Sequence, residues 1–514
     1  MTELVELTVA MLDADTYPHD VDALELIETH LSWVFLTGAY VYKVKKPVNF
    51  DFVDFSTRAL RRHFCEEEVR CNRGFAPDLY LGVAMIVQVG DAIRVAWDTS
   101  ETTGNVIDYA VRMRQFDGAL QADVLLENGE LSVVEMRAFG RRLASQHAEL
   151  PVLDLPYDPG EAMVENFATL KALPCTQPWR DEIAALEHQT EMQLAVNSGF
   201  LQRRRQEDHV RECHGDLHLS NLARLQDGIT AFDCLEFDVD LRNIDVWCDA
   251  AFLFMDCAVR GRADLGYAFV DGYLDESGDY HGVELLPMFA AYRSVVRAKI
   301  AALRFEQSGD AVSRQKLATH LAWPLQQHAR PTGNLYVTCG LSGSGKSYWA
   351  DQLVSEIQSL RLRSDVMRKS QHGLAPLDRS ESTVGGGLYA SDASSRVYES
   401  LAEHAASLLS QGEHVIVDAA CLKFRQREQL YAAAHALGAS VQLLYFTAPR
   451  DELQSRIASR SARGGDPSEA DAAVLAWQVE NFEVPRADEP VIELDTTTLD
   501  LARLRGMLNE PQTG

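Results

Sequence analysis

The first third of the chain alternates apolar and polar residues in short runs separated by glycine turns. Residues 32–38 and 40–46 form one such pair of runs, and residues 83–89 and 92–97 flank Gly90-Asp91 in the same way. Alternation of this kind is typical of strands with one buried face, and Gly-Asp turns favour hairpins. We therefore expect a hairpin-rich sheet, with one helix over residues 57–73 where apolar residues recur at helical spacing.

The middle of the chain changes to a helical pattern, over about 130–209 and again over 244–328. Two prolines and a glycine between residues 324 and 333 end this pattern, which predicts a domain boundary near Arg330. The order so far is a small β-rich lobe over about 1–115 and a larger helical lobe over about 116–328.

The last part of the chain, residues 334–514, alternates short apolar runs with helical segments. The predicted strands are residues 335–339, 414–417 and 441–446, with a further strand before Arg363, and the predicted helices are 346–358 and 425–437. Short buried strands that alternate with helices are typical of a parallel sheet covered on both faces. We expect an α/β domain here.

Composition and charge narrow the function classes. The 514 residues are 46% hydrophobic, and 48 basic against 76 acidic residues give a net charge of -28, which argues against broad binding to nucleic acid or anionic membranes. Nine cysteines without a C-x-x-C pair are typical of reduced thiols. The first twenty residues do not resemble a signal peptide, and no apolar run approaches a membrane span. These features predict a cytoplasmic protein.

The strongest motif lies between the first predicted strand and helix of the α/β domain. Gly340-Leu341-Ser342-Gly343-Ser344-Gly345-Lys346-Ser347 fits G-x-x-x-x-G-K-[ST] at each specified position. In such a loop, Gly340, Ser342, Gly343, Ser344 and Gly345 would direct backbone N–H groups at phosphates. Lys346 would neutralise the β- and γ-phosphates, and Ser347 would hold Mg2+. We predict an ATP site.

Three further residues supply the chemistry of phosphoryl transfer. Asp365 and Arg368 follow a predicted strand at the sheet edge where α/β folds bind ligands. Asp365 is the predicted base for an attacking hydroxyl, and Arg368 would orient an anionic group. Asp418 ends a buried strand and is predicted to lie near Mg2+. Helix caps and strand-end turns are the structural alternatives for the two aspartates.

Three arginines share one face of a later helix, at positions i, i+4 and i+7: Arg456, Arg460 and Arg463. This face would close over the triphosphate and stabilise charge in the transition state. A solvated basic face that balances nearby acidic residues is the alternative.

These motifs resemble the P-loop kinases of the zeta-toxin, polynucleotide-kinase and gluconate-kinase type. The resemblance covers about residues 334–505. It implies transfer of a phosphoryl group to a hydroxyl. Because Asp418 is followed by Ala419 and not by the glutamate that polarises hydrolytic water, a motor ATPase is disfavoured.

A second chemical motif stands far upstream of the P-loop. His214-Gly215-Asp216-Leu217-His218-Leu219-Ser220-Asn221 has the spacing H-x-D-x-x-x-x-N, and Asp233 ends an apolar run twelve residues later. Kinase chemistry needs Asp216 to accept a hydroxyl proton, and Asn221 and Asp233 to bind Mg2+. A polar turn with capping residues is the alternative.

A kinase-like lobe also needs a strand lysine and a helix carboxylate. Lys43 lies on the second predicted strand and Glu68 on the following helix. Lys45 shares the face of Lys43 because strands alternate with period two, so the choice between the two lysines stays open. Lysines that protect a sheet edge are the structural alternative.

Residues 25–300 resemble the aminoglycoside-phosphotransferase and choline-kinase-like branch of the protein-kinase-like fold. The resemblance is carried by the His214–Asn221 motif, Asp233 and Val41-Tyr42-Lys43, and it implies an α+β bilobal kinase domain over 1–328 that phosphorylates a small-molecule hydroxyl, with residues 106–115 as the hinge strand. Two features depart from the pattern. No G-x-G-x-x-G loop precedes Lys43, and Cys234-Leu235-Glu236 follows Asp233 where Phe-Gly is common.

The order of the two halves, a bilobal kinase-like domain followed by a P-loop kinase domain at 334–514, resembles bacterial fusion proteins of these two types. The leading hypothesis is a bifunctional ATP- and Mg2+-dependent phosphotransferase acting on sugar, aminoglycoside-like or nucleotide-sugar hydroxyls. One active domain beside a nucleotide-sensing regulator is the second hypothesis. A polynucleotide 5′-hydroxyl kinase is the third, and the acidic charge makes nucleic acid a poor partner.

Overall fold

The computed structural model describes residues 2–50, 53–97, 104–155, 157–378, 391–463, 468 and 470–509. Within these ranges the side chains of residues 2–5, 391–394, 461–463 and 509 are not described.

Two compact units form the chain. The first contains residues 1–131, 149–157 and 203–249, and the second contains 132–148, 158–202 and 250–514. This grouping does not coincide with the predicted boundary between residues 328 and 334, which stays a prediction from the sequence.

The first unit is built on an antiparallel sheet of six strands. Its strands and the short hairpin beside them are β1 (Glu25–Glu28), β2 (Ser32–Leu36), β3 (Tyr40–Lys45), β4 (Asn49–Phe50), β5 (Val53–Asp54), β6 (Tyr80–Val89), β7 (Ala92–Ala96) and β8 (Asn105–Arg114). The strand order is β1-β2-β3-β8-β6-β7. Three helices accompany it, namely α1 (Thr2–Ala10), α2 (Arg58–Asn72) and α3 (Ala122–Glu127). The predicted hairpins and the helix over 57–73 are confirmed.

The rest of the first unit consists of two small antiparallel pairs. Their strands are β9 (Val210–Glu212), β10 (Leu222–Leu225), β11 (Gly228–Ala231) and β12 (Asn243–Asp245), with β10 paired to β11 and β12 paired to β9. The segment between β9 and β10 contains the predicted Asp216 loop, and Asp233 follows β11. Both motifs are therefore held at the ends of short strands.

Seven helices, which lie wholly or for most of their length in the second unit, precede its parallel strands in the described part of the chain. They are α4 (Val133–Glu149), α5 (Pro159–Ala172), α6 (Arg180–Gln206), α7 (Val246–Val259), α8 (Ala263–Ser277), α9 (Leu286–Ser308) and α10 (Ala311–His328). Phe167, Leu170, Val295 and Leu317 are among the buried residues where α5, α9 and α10 pack. The helical pattern read from the sequence is confirmed.

A parallel sheet of five strands occupies the end of the second unit. Its strands are β13 (Leu335–Cys339), β14 (Ser359–Arg363), β15 (His414–Asp418), β16 (Val441–Thr447) and β17 (Val491–Asp495), in the order β14-β15-β13-β16-β17. The helices are α11 (Lys346–Glu356), α12 (Ser364–Ser370), α13 (Ser391–Ser410), α14 (Phe424–His435), α15 (Arg450–Arg463), α16 (Ala472–Asn481) and α17 (Leu501–Asn509). The predicted α/β domain is confirmed, and β17 is an edge strand that the sequence reading did not include.

None of the helices in the described ranges combines the length and apolar character that crossing a bilayer requires. Within the described residues none of the nine cysteines forms a disulfide, and seven of them are buried.

Candidate active sites

The P-loop joins β13 to α11, as its sequence predicts. Gly340 and Gly343 have positive φ angles of 135° and 82°. A Cβ at Gly340 would lie 2.4 Å from the carbonyl oxygen of Phe446, and one at Gly343 would lie 2.6 Å from that of Leu453. Only glycine fits this backbone path, which turns the chain tightly before the helix N-terminus.

Lys346 and Ser347 begin α11 at the end of the loop. Lys346 Nζ donates to the carbonyl oxygen of Leu341 at 2.9 Å, and burial lowers the pKa of this lysine despite the attraction of Asp418. Ser347 Oγ donates to Asp418 Oδ1 at 3.1 Å. The predicted metal pair Ser347 and Asp418 is therefore in direct contact.

Asp418 ends β15 and is 5% exposed. Burial raises the pKa of its carboxyl, while Arg363, Arg361 and Lys346 oppose that rise. Among the described residues its second oxygen, Oδ2, accepts no hydrogen bond. A buried carboxylate oxygen beside a serine hydroxyl fits Mg2+, which prefers oxygen ligands and retains several waters.

One cavity of about 680 Å³ joins the P-loop to the predicted acceptor residues. Its wall includes five residues of the P-loop and Asp418, namely Ser342, Gly343, Gly345, Lys346, Ser347 and Asp418. The same wall also includes Asp365, Arg368, Tyr398, Gln426, Trp477 and Gln478. Gly340 and Ser344 complete the turn without lining this cavity, and Ser344 is 2% exposed.

Asp365 and Arg368 lie on α12, the short helix that follows β14. The strand delivers them to the carboxyl edge of the parallel sheet, beside Asp418, because β14 pairs with β15 and Arg363 is opposite Asp418. Asp365 is half-buried and Arg368 is 7% exposed. Both line the cavity, so the structure brings together the predicted base, the predicted anion ligand and the P-loop.

The predicted arginine face of α15 reaches the same cavity through Arg456 and Arg460. Arg456 Nη1 donates to Thr496 Oγ1 at 2.8 Å and Arg456 Nε pairs with Glu452 at 2.8 Å. Arg460 Nη2 donates to the carbonyl oxygen of Ala470 at 2.9 Å. The side chain of Arg463 lies outside the described residues.

In the first unit, both lysines of β3 contact the carboxylate of Glu68 on α2. Lys43 Nζ is 2.8 Å from Glu68 Oε1, and Lys45 Nζ is 2.7 Å from Glu68 Oε2. Burial alone would raise the pKa of Glu68, but the two lysines lower it to about 2. The predicted lysine–glutamate pair is therefore present, and both candidate lysines pair with Glu68.

The second contacts of the two lysines differ. Lys43 Nζ is 2.5 Å from Asp233 Oδ1, while Lys45 pairs with Glu236. The Lys43 side chain is 15% exposed and that of Lys45 is fully buried. Lys43 thus joins Glu68 to the predicted metal ligand Asp233. Lys45 is a buried counter-charge.

The Asp216 loop is ordered by hydrogen bonds within the first unit. Asn221 Nδ2 donates to Asp216 Oδ2 at 3.1 Å, and His218 Nε2 lies 3.3 Å from the same oxygen. The backbone N–H groups of His214 and Gly215 donate to Asp249 at 3.0 and 2.9 Å. Asp216 and Asn221 are in contact, as their spacing predicts.

Asp233 follows β11 with a φ of 60°, a left-handed conformation that Asp adopts more readily than most residues. Its backbone N–H donates to Tyr80 Oη at 3.0 Å, and the next N–H, that of Cys234, donates to Asn72 Oδ1 at 2.9 Å. These bonds turn the Asp233 carboxylate towards Lys43.

Sequence reasoning missed several residues of both sites. Glu236 was noted only as a departure from Phe-Gly, and Asp249 and Tyr80 carry no motif. Arg361 and Arg363 did leave a signal, since two arginines alternate with leucines in Ser359–Arg363 and each position of that strand is buried.

The fold and sites define the class of the molecule. A six-stranded antiparallel sheet with a Lys43–Glu68 pair, an H-x-D loop and Asp233 form a protein-kinase-like fold. A P-loop between the first strand and the first helix of a parallel α/β sheet is the arrangement of a P-loop nucleotide-binding fold. The chain carries these two folds in sequence.

Known proteins are similar to parts or to most of this chain. Residues 335–485 match the family described as AAA domain. An uncharacterised protein of Mycobacterium tuberculosis is 29% identical over 479 residues, which span 90% of this chain and 91% of that protein.

Two solved structures cover different parts of the chain. A choline/ethanolamine kinase family protein from Mesorhizobium loti covers 64% of this chain and 95% of its own, with 12% identity and a TM-score of 0.40. A gluconokinase from Sinorhizobium meliloti covers 34% of this chain and 88% of its own, with 20% identity and a TM-score of 0.24.

Proposed function

We propose that this protein is a bifunctional ATP-dependent phosphotransferase that acts on hydroxyls of small molecules, with one site in each kinase fold. The observation that carries the proposal is one cavity among the described residues that is lined by the P-loop, Asp418, Asp365 and Arg368. The proposal is supported because the groups suited to bind ATP lie in the same cavity as a carboxylate suited to deprotonate an acceptor. The acceptors that fit are sugars, aminoglycoside-like molecules or nucleotide-sugars.

In the P-loop site, backbone N–H groups and Lys346 bind the phosphates of ATP. Asp365 accepts the proton of the acceptor hydroxyl while the hydroxyl oxygen forms a bond to the γ-phosphorus of ATP. The bond between the γ-phosphorus and the oxygen that bridges it to the β-phosphorus breaks, and ADP is released. Arg368 orients the acceptor, and Arg456 and Arg460 stabilise charge on the transferring group. Ser347 and Asp418 would hold Mg2+, which neutralises phosphate charge when bound.

In the first unit, Lys43 binds the α- and β-phosphates and is oriented by Glu68. Asp216 accepts the hydroxyl proton, and its contact with Asn221 fixes its direction. Asn221 and Asp233 would hold Mg2+. Burial would lower the pKa of Lys43, but Asp233 and Glu68 outweigh it and keep the pKa well above its usual value, so the cation that meets the phosphates persists at neutral pH.

Transfer is favoured over hydrolysis by two features of the P-loop site. The cavity extends well beyond the P-loop to Trp477 and Tyr398, which leaves room for an acceptor. Asp418 is followed by Ala419, so the strand end lacks a glutamate to polarise water. The zeta-toxin-like P-loop kinases are therefore the better functional comparison than motor ATPases.

A second candidate function is favoured by the turn between β1 and β2. The chain reverses through Thr29, His30 and Leu31, and Ser32 N–H donates to Thr29 Oγ1 at 2.9 Å. This short turn has no glycine and offers no phosphate-binding loop of the kind in protein kinases. The first unit would then bind nucleotide weakly and regulate the P-loop site.

The test compares Asp216→Ala and Lys346→Ala in the full chain. A metabolite extract is incubated with γ-labelled ATP, and labelled products are separated for the wild type and each variant. Two independent sites predict that each variant loses a different set of products. Asp240→Ala and Lys316→Ala, at exposed positions, are controls that keep both sets.

Three outcomes separate the alternatives. Loss of every product in either single variant, with nucleotide still bound at the other site, contradicts two independent kinases and supports the regulator. Labelling of 5′-hydroxyl oligonucleotides, tested in parallel at several salt concentrations, would support a polynucleotide kinase. No Lys346-dependent or Asp216-dependent product in any condition rejects the proposed function.

A further inference from the structure

Two buried arginines lie on β14, and the second of them, Arg363, lines the cavity of the P-loop site. Arg361 and Arg363 alternate with leucines, and they are 3% and 7% exposed. Moving a guanidinium out of water costs several kcal/mol unless carboxylates compensate it. A strand of this kind therefore requires acidic partners from the elements packed against it.

Helix α8, which lies upstream of the P-loop in sequence and in the same compact unit, supplies those partners. Arg361 Nε donates to Asp271 Oδ1 at 2.8 Å and Arg361 Nη2 donates to Asp271 Oδ2 at 3.0 Å. Arg363 Nη1 donates to Asp275 Oδ1 at 3.0 Å. The first pair is a two-bond fork, the strongest arrangement between these groups.

The same guanidinium groups face Asp418 at longer distances. Arg361 Nη1 is 3.7 Å and Arg363 Nε is 3.5 Å from Asp418 Oδ2, the oxygen that accepts no hydrogen bond from the described residues. Both separations exceed the usual range of a charged N–H···O bond, about 2.7–2.9 Å. The two arginines attract Asp418 electrostatically but do not hydrogen bond to its Oδ2 atom.

A third arginine, Arg137, connects the network to the helix that begins at the P-loop. Arg137 Nε donates to Asp271 Oδ2 at 2.9 Å, and Arg137 Nη1 donates to Asp351 Oδ2 at 2.9 Å. Asp351 lies on α11, five residues after Lys346. Asp271 is thus bonded to arginines on two elements, α4 and β14, which fixes the position from which it holds Arg361 against the attraction of Asp418.

We propose that Asp271 and Asp275 are positioning residues of the P-loop site, which keep Arg361 and Arg363 from hydrogen bonding to Asp418 and so preserve Asp418 Oδ2 for Mg2+ and its waters. Both arginines already lie within 4 Å of Asp418, so that loss of the α8 carboxylates allows a direct bond to Asp418 that competes with the metal. This inference rests on the proposed function of the P-loop site.

The test uses the full chain carrying Asp216→Ala, so that ATP consumption reports the P-loop site. The Mg2+ concentration that gives half-maximal ATP consumption is measured, together with ATP affinity in EDTA. Asp275→Asn and Asp271→Asn are each expected to raise the Mg2+ requirement about tenfold, the usual effect of losing a residue that orients a metal ligand. ATP affinity in EDTA stays unchanged.

Two further variants separate positioning from stability. Adding Arg363→Gln to Asp275→Asn removes the competing guanidinium and is expected to bring the Mg2+ requirement back towards that of the parent. Glu413→Gln is the matched control, because Glu413 is also a buried carboxylate paired with an arginine, Arg330, at 3.2 Å. It is expected to leave the Mg2+ requirement unchanged.

The proposal is overturned if Asp275→Asn keeps the parental Mg2+ requirement, if it changes it only as Glu413→Gln does, or if Arg363→Gln fails to restore it. Arg363→Gln alone, which leaves α8 intact, must not raise the Mg2+ requirement, and this readout stands even if an α8 variant does not fold. If the parent shows no ATP consumption that Lys346→Ala abolishes, the proposed function itself fails.

Discussion

At the scale of single residues, Lys43 and Lys45 show how one carboxylate serves two purposes. Both lysines bind Glu68, yet Lys43 continues to Asp233 and Lys45 continues to Glu236. Burial raises the pKa of Glu236, and Lys45 opposes that rise. A buried carboxylate of this kind needs a permanent cation, whereas the cation beside Asp233 is partly exposed and available to phosphates.

We expect Lys43→Met to affect mainly product formation and Lys45→Met to affect mainly stability. Lys43→Met should abolish the Asp216-dependent products with a modest change in thermal midpoint. Lys45→Met leaves Glu68 and Glu236 with one cation fewer, and breaking a buried pair in this way costs about 3–5 kcal/mol of unfolding free energy. Product assays and chemical denaturation measure the two effects. Equal loss of stability in both variants would contradict this division.

At the scale of elements, the shape of the P-loop depends on a strand, a tight turn and a helix N-terminus that meet closely. At Gly340 and Gly343 the surrounding backbone leaves no room for a side chain. The turn passes so close to Leu453 on α15 that its backbone leaves no space for a Cβ at Gly343. Contact with α15 also places Arg456 near the loop, since Arg456 Nη1 lies 3.4 Å from the carbonyl oxygen of Gly343. The shape of the loop and the position of the arginine face are therefore linked.

Gly343→Ala should weaken ATP binding at the P-loop site by more than about tenfold, because either the loop or α15 must move to admit the methyl group. The matched control is Gly438→Ala, which has a similar φ of 70° but no atom within 4 Å of the added Cβ. Its cost is the backbone strain alone, about 1–2 kcal/mol, with ATP binding unchanged. Calorimetric titration with ATP measures both. Similar affinities in the two variants would contradict the steric argument.

At the scale of the whole molecule, the P-loop domain depends on residues outside its own sequence limits. Asp271 and Asp275 compensate two buried arginines of β14, and burial would raise the pKa of Asp275, but Arg361 and Arg363 hold it below its usual value. Tyr267 Oη adds a hydrogen bond to Glu413 at the start of β15. A domain boundary near Arg330 would separate all of these partners.

A fragment of residues 330–514 should therefore be less stable than the same segment in the full chain. Arg361→Leu is expected to change stability with opposite signs in the two contexts. In the full chain it leaves Asp271 short of its main partner and costs about 3–5 kcal/mol, whereas in the fragment it removes a charge that has lost its α8 partners and raises the thermal midpoint. Differential scanning calorimetry checks this. A stability change of the same sign in the full chain and in the fragment would show that Arg361 finds other acidic partners in the fragment.

The sequence by itself determined the elements and most of the candidate chemistry. The turn glycines, the alternation of β3 and the strand–loop–helix setting of Gly340–Ser347 are local patterns, so the hairpins, the parallel sheet and the P-loop followed from them. Asp216, Asn221 and Asp233 were likewise found by spacing, while Glu68 was predicted as a helix carboxylate and Lys43 as one of two candidate strand lysines. Their contacts in the structure agree with that spacing, and their roles in catalysis remain predictions.

Only the tertiary structure decided which charges meet. It separated Lys43 from Lys45 through their second partners, added Glu236, and placed Asp271 and Asp275 against arginines about ninety residues away in the chain. Such pairings depend on how helices pack against strands, which no local periodicity encodes. The physical reason is that a buried charge requires a partner of opposite charge but does not specify which residue it is. The packing of the helices and strands selects that residue.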